Sequence, residues 1–192
     1  MTTKSLICAL LLTSAATAAS PFSWELAGNY NHAFRSIRSH APAPSIDTWG
    51  ADITGLYQLQ GNHALSFRFS YAYGADSGFH VHNFALMPGY RYTHSFNEQW
   101  CIFAGVNAGI GLSILDSPGM KKRTHALSRR DDMANIVYSA ELGAGYTVSP
   151  QVRIIGSIGV NGGTSPFHSA GYEDAREEQF NLGLRLGIHY QF

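Results

Sequence analysis

Apolar and polar positions alternate along most of the chain beyond residue 20, and the alternation is cleanest at its end. From Gln179 to Phe192, the residues Phe180, Leu182, Leu184, Leu186, Ile188, Tyr190 and Phe192 are apolar. Between them stand Gln179, Asn181, Gly183, Arg185, Gly187, His189 and Gln191. A period of two is the mark of a strand with one apolar face. The same period predicts seven earlier strands, over about Phe22 to Phe34, Thr48 to Leu59, His63 to Gly74, His80 to Thr93, Trp100 to Ile114, Met133 to Val148 and Val152 to Asn161. Pro88 falls inside the fourth, where it removes a ladder donor and predicts a bulge or local kink. Gln60-Gly61-Asn62, His94 to Gln99 and Ser149-Pro150-Gln151 read as short turns. Arg35 to Asp47, Gly74 to Gly78, Leu115 to Asp132 and Gly162 to about Glu178 join the strands at the opposite end, so longer and shorter connections are expected to alternate.

Each predicted strand is near the roughly 9 to 11 residues that a tilted strand needs to cross a bilayer. Composition strengthens that direction. Charged residues are only 14 % of the chain, while Gly numbers 20, Tyr 10 and Phe 11, which suits an apolar outside around a tight inside. Tyr and Trp concentrate near strand ends (Trp24, Trp49, Tyr57, Tyr71, Tyr73, Tyr90, Tyr92, Trp100, Tyr146 and Tyr190), as in an interfacial girdle. Lys and Arg balance Asp and Glu at 13 each, so no basic face is available for a nucleic-acid partner. Lys4, the apolar run Leu6 to Leu12 and the small residues Ala16-Thr17-Ala18 read as an export signal over residues 1–19, leaving 20–192 as one domain. The run is far shorter than the roughly 20 residues of a spanning helix. Removing that segment leaves Cys101 as the remaining cysteine and excludes an internal disulfide. Only helices and closed barrels span a membrane. The expected fold is therefore an eight-stranded antiparallel up-and-down transmembrane β-barrel. The competing arrangement, a soluble β-sandwich, would turn the same aromatics into a core.

Eight alternating strands, the connection pattern and a last strand that closes on Tyr190 and Phe192 resemble the small outer-membrane β-barrel proteins, the group of the OmpA transmembrane domain, OmpX and the opacity proteins. The resemblance spans nearly all of residues 20–192 and rests on architecture and the last strand rather than on a catalytic motif. With no peptidoglycan-binding domain after the eighth strand, the barrel-only OmpX-like form is the nearer one. The resemblance implies a bacterial outer membrane, short turns in the periplasm and loops outside. It also implies that the terminal aromatic strand, with Tyr190 and Phe192, is the signal read by the barrel assembly machinery.

The inward parity gathers Glu25, Asp52 and Glu141 with Arg68, Arg91, Arg153 and Arg185. An eight-stranded barrel is just wide enough for side chains to fill, and buried charges are costly unless paired. These seven residues are expected to form a network that plugs the barrel; a narrow gated pore is the alternative. His189 shares that face and could make part of the network sensitive to pH. Outside, Lys121, Lys122, Arg123, Arg129 and Arg130 form a basic loop cluster suited to the phosphates of lipopolysaccharide, and the acidic last loop holds Glu173, Asp174, Glu177 and Glu178. An enzyme acting on lipid A would need a nucleophile and a base at the outer rim. The candidates are Asp76, Ser77 and His40, or His168, Ser169 and Glu173, and neither set carries a diagnostic motif. His80 and His82 share a strand face at a metal-chelating spacing but lack a third ligand. Cys101 reads as a small inward residue. No cofactor or metal is expected. The expected role is structural or surface-interacting, through external loops that contact lipid, lipopolysaccharide or an extracellular partner.

Overall fold

A computed structural model of the chain describes residues 20–34, 46–76, 79–116, 130–164 and 178–192. The strands are β1 (Phe22–Phe34), β2 (Thr48–Gln58), β3 (His63–Asp76), β4 (Phe79–Ser95), β5 (Trp100–Asp116), β6 (Arg130–Ser149), β7 (Val152–Thr164) and β8 (Glu178–Gln191). They pair in chain order, all antiparallel, and β8 returns to β1 to close a barrel. Closure leaves no strand edge with unpaired backbone groups, which is what a lipid environment demands.

The register keeps the two faces apart. Leu26 on β1 pairs with Ile53 on β2, which pairs with Phe69 on β3, and all three are exposed outside. One position along, Glu25 pairs with Thr54, which pairs with Arg68, and all three are buried inside. A slip of one residue would exchange these rows, so the apolar exterior specifies the register. Large apolar side chains cover the outside of every strand, including Phe67, Ile110, Leu142, Ile158 and Leu186. An apolar surface that surrounds the molecule is stable against hydrocarbon, not water. Among the described residues no helix is long and apolar enough to cross a membrane; the crossing is made by strands.

Three sequence expectations change. Pro88 makes no bulge: β3 pairs continuously past it, Phe67 against Pro88, and the β4–β5 register is the same on both sides of it. Only the β5 rungs at Met87 and Pro88 are missing, because one absent donor is too small a loss to shift a ladder held by its neighbours. The register shift lies instead between Thr147 and Ser149, beside the β6–β7 turn. The β3–β4 connection is also shorter than expected, since the strands pair as far as Asp76 and Phe79. Tyr–His pairs between the strand ends extend that ladder: Tyr73 Oη lies 2.8 Å from His80 Nδ1 and Tyr71 Oη 3.0 Å from His82 Nδ1. Finally, β6 starts at Arg130, opposite Asp116. At the other end, Gly61 supplies the positive φ of 67° that the β2–β3 turn requires.

The interior is fitted around glycines. Gly143 lies beneath the buried Phe103 ring, and a methyl group there would overlap the ring. Gly183 on β8 lies beneath a bridge between its neighbours, where Asn161 on β7 donates to Asn31 on β1 at 2.7 Å. Gly143→Val is expected to displace Phe103 and to cost about 1–3 kcal/mol, as overpacking typically does. Urea unfolding of the bilayer-inserted protein, followed by tryptophan fluorescence, measures this. An unchanged midpoint would contradict the tight fit.

Candidate functional site

Six inward side chains from β1, β2, β3, β4, β6 and β8 meet midway along the barrel. Glu25 is 1 % exposed. It receives one hydrogen bond from Arg91 Nη1 and another, at 3.0 Å on its second oxygen, from Arg185 Nη1. Glu141 Oε1 receives Arg68 Nη2 at 2.5 Å and Arg91 Nη2 at 2.9 Å. Asp52 Oδ1 receives Arg185 Nε at 2.8 Å and lies 2.7 Å from Arg185 Nη2. Three carboxylates and three guanidiniums balance, and each carboxylate's cost of burial is offset by charge-assisted hydrogen bonds. Neutral groups complete the set. Thr54 accepts from Arg68 Nε and Arg185 Nη2, Ser157 donates to Glu141, and Asn29 donates to Asp52. The Arg91 guanidinium also lies 4.4 Å over the Phe103 ring.

Local geometry explains why these groups meet. Arg91 on β4 and Glu141 on β6 both pair with Gly105 on β5, and the missing side chain there lets them touch across the strand. Glu25, Thr54 and Arg68 occupy one inward row of β1, β2 and β3. Arg153 has a different position. It faces inward near the short-turn end, where its Nε donates to Thr147 at 3.3 Å, and among the described residues no carboxylate pairs with it. His189 Nδ1 lies 3.2 Å from Glu25 Oε1, so that imidazole adjoins the network from the short-turn side.

The network divides the interior. On the loop side is a cavity of about 150 Å³ lined by amides, among them Asn29, Asn31, Asn83, Asn135, Asn161 and Asn181, with Arg68, Glu141 and Arg185 at its base. On the short-turn side is a cavity of about 270 Å³ lined by Glu25, Arg91, Cys101, Phe103, Arg153 and His189 together with turn residues such as Asn62 and Gln151.

Outside, the loop ends of β1 to β4 carry a polar aromatic band. Tyr30 packs on Trp49 with ring centroids 4.4 Å apart, Tyr73 stacks on His80, and Tyr71 stacks on His82. Just before β2, Asp47 accepts a 2.6 Å hydrogen bond from Tyr30 Oη and a 3.2 Å bond from Ala33 N, and lies 2.8 Å from His32 Nδ1. The Tyr30 hydroxyl, helped by the Ala33 amide and the neighbouring His32, holds the Asp47 carboxyl below its ordinary value. The sign follows from linkage. A depressed folded value contributes stability above the unfolded value of about 3.9, and that contribution fades as pH falls through the folded one. Tyr30→Phe is expected to raise the Asp47 titration midpoint, as read by carbon NMR of its carboxyl. A midpoint that does not move would contradict this.

Of the rim residues considered for lipid chemistry, His40, Ser77, His168, Ser169 and Glu173 lie outside the described residues, as do Lys121, Lys122, Arg123 and Arg129 of the basic loop and the whole of residues 1–19. Asp76 is exposed at the end of β3, and Arg130 is the first residue of β6. Among the described residues no three ligating side chains cluster to hold a metal; His80 and His82 instead engage tyrosines through Nδ1. Tyr190 and Phe192 meet edge to face at 5.1 Å. Sequence reasoning missed Thr54 and Ser157 as links of the network and the tyrosine partners of the histidines. The inward parity of Thr54 was readable, but the cross-strand register that makes these contacts was not.

No family model matches the chain, and no curated protein matches it significantly. Solved structures do. Neisserial surface protein A superposes with a TM-score of 0.68 at 13 % identity, over 92 % of this chain and 100 % of that one. The N-terminal β-barrel domain of OprF from Pseudomonas aeruginosa gives 0.54 at 14 % identity, over 90 % and 100 %. The outer membrane protein OprG, also from Pseudomonas aeruginosa, gives 0.50 at 8 % identity, over 91 % and 97 %. At these identities the likeness establishes the fold, the closed eight-stranded barrel of outer-membrane proteins. Together with the apolar exterior, that fold places the chain in a bacterial outer membrane.

Proposed function

We propose that the protein is a non-enzymatic surface anchor: a plugged barrel that holds its external loops at the cell surface and meets lipopolysaccharide with its outer rim. The observation that carries this reading is the balanced charge network, which joins six strands across the lumen between a loop-side and a short-turn-side cavity. The Tyr–His band supports the lipopolysaccharide contact, because tyrosines that hold Nδ1 leave each imidazole's Nε2 side for headgroup sugars and phosphates. The basic loop Lys121, Lys122, Arg123, Arg129 and Arg130 supplies charge of the right sign for the same phosphates, and the terminal Tyr190 and Phe192 serve as the assembly signal.

Two measurements test this reading. In planar bilayers the folded protein is expected to give no stepwise conductance, and steady single-channel openings would replace the anchor with a small pore. Lipid A mass spectra of cells with and without the protein are expected to be identical. A new lipid A species that disappears with Ser77→Ala or Ser169→Ala would instead make the protein a lipid A acyltransferase or deacylase.

A further inference from the structure

The interior charges do not balance once the short-turn cavity is counted. Glu25, Asp52 and Glu141 are matched by Arg68, Arg91 and Arg185. Arg153 is a fourth guanidinium. It is half-buried and, among the described residues, bonded only to the Thr147 hydroxyl. It lines the larger cavity, whose other charged or titratable lining groups are Glu25, Arg91, Cys101 and His189. Glu25 is already engaged by Arg91 and Arg185, so it does not neutralise Arg153. Arg91, whose Nη atoms are held by Glu25 and Glu141, also lines this wall. The rest of the lining includes neutral hydroxyl donors, Ser23, Thr93, Ser95 and Ser149. The cavity is bounded by the β2–β3 and β6–β7 turns, the end that faces the periplasm in an outer-membrane barrel.

The geometry points to a periplasm-facing site for a small oxyanion, phosphate-like or carboxylate-like, held by the Arg153 guanidinium among neutral hydrogen-bond donors. A guanidinium presents two parallel N–H groups that match two oxygens of such an anion. A surplus cation in a low-dielectric recess also concentrates anions there more than it would at an open surface. Cys101 serves as a reporter. Gly145 separates it from Arg153, and a Cβ on that glycine would come 2.9 Å from Cys101 Sγ and 2.5 Å from Arg153 Cδ.

The test uses the full chain folded in zwitterionic micelles, with Cys8→Ser so that Cys101 is the single thiol. Inorganic phosphate is added at constant ionic strength against chloride, and the Arg153 Nε–Hε correlation is followed by nitrogen NMR. A saturating shift at Arg153, with Arg68 and Arg185 unmoved, is the expected result; a shift that only grows linearly overturns the site. In parallel, Cys101 is reacted with an anionic and a cationic methanethiosulfonate of similar size. The anionic reagent is expected to react about tenfold faster, phosphate is expected to slow it, and Arg153→Gln is expected to bring the two rates together. Arg153→Lys keeps the charge but not the fork, so it should retain the rate preference and lose most of the phosphate protection. Equal rates in the unsubstituted protein overturn the proposal without reference to any variant.

Discussion

Replacing Glu25 by alanine is expected to destabilise the barrel by about 3–5 kcal/mol, the usual cost of removing one partner from a buried ion pair. The loss is set less by the bonds removed than by what remains. Arg91 and Arg185 are both buried, and each gives one of its contacts to Glu25. Without that carboxylate the network holds three guanidiniums against two carboxylates in a lumen too narrow to hydrate them fully. Arg91 keeps Glu141 and the Phe103 ring, and Arg185 keeps Asp52 and Thr54. The two cavities are also expected to join where the Glu25 side chain stood, so the variant should give ion conductance where the unsubstituted protein gives none. Urea unfolding in lipid vesicles and planar-bilayer recording measure the two effects. Adding Arg185→Ala to Glu25→Ala should restore charge balance and cost less than the sum of the two single changes, because the residues share one network. Full additivity, or an unfolding midpoint that does not move in Glu25→Ala, would show that these charges are hydrated separately and are not a plug.

The charge network also marks how far the sequence could be read. Faces were legible because parity is a local property: Glu25, Asp52, Arg68, Arg91, Glu141 and Arg185 could be placed inside from alternation alone. Partners were not legible, because they depend on register and on the stagger of strands around the barrel. Glu25 and Arg185 are 160 residues apart in the chain, and their contact exists only because β8 closes on β1. The same limit explains Arg153. Parity places it with the other inward charges, yet its height along β7, opposite His189, puts it below them. Pro88 shows the converse error. A residue that weakens a strand in isolation sits in an unbroken register when both neighbouring strands hold it. The β3–β4 ladder outran its expected end because Tyr71 and Tyr73 find His82 and His80 across it, a pairing that no single-strand pattern reports.

Leu186→Arg is expected to cost about 2–4 kcal/mol in a bilayer, the depth-dependent cost of a cation on the lipid face of a barrel near its midplane. Leu186 is 68 % exposed, faces outward on β8 and touches no part of the charge network. In a protein surrounded by water the same change at so exposed a site would fall within about 0.5 kcal/mol of neutral. The size of the effect therefore reports the solvent around the exterior, independently of any structural likeness. A graded series sharpens it. Tyr190→Arg, near the end of β8, is expected to cost at most about 1 kcal/mol from the lipid term, because depth falls toward the interface. Unfolding of each variant from lipid vesicles gives the two numbers. A large cost at Leu186 with a small one at Tyr190 is the signature of a membrane-spanning strand, in which alternation encodes lipid on one side and a polar plug on the other. A near-zero cost at Leu186 would mean that the apolar exterior is not in hydrocarbon. The inward charges would then have to be explained as a feature of some other assembly.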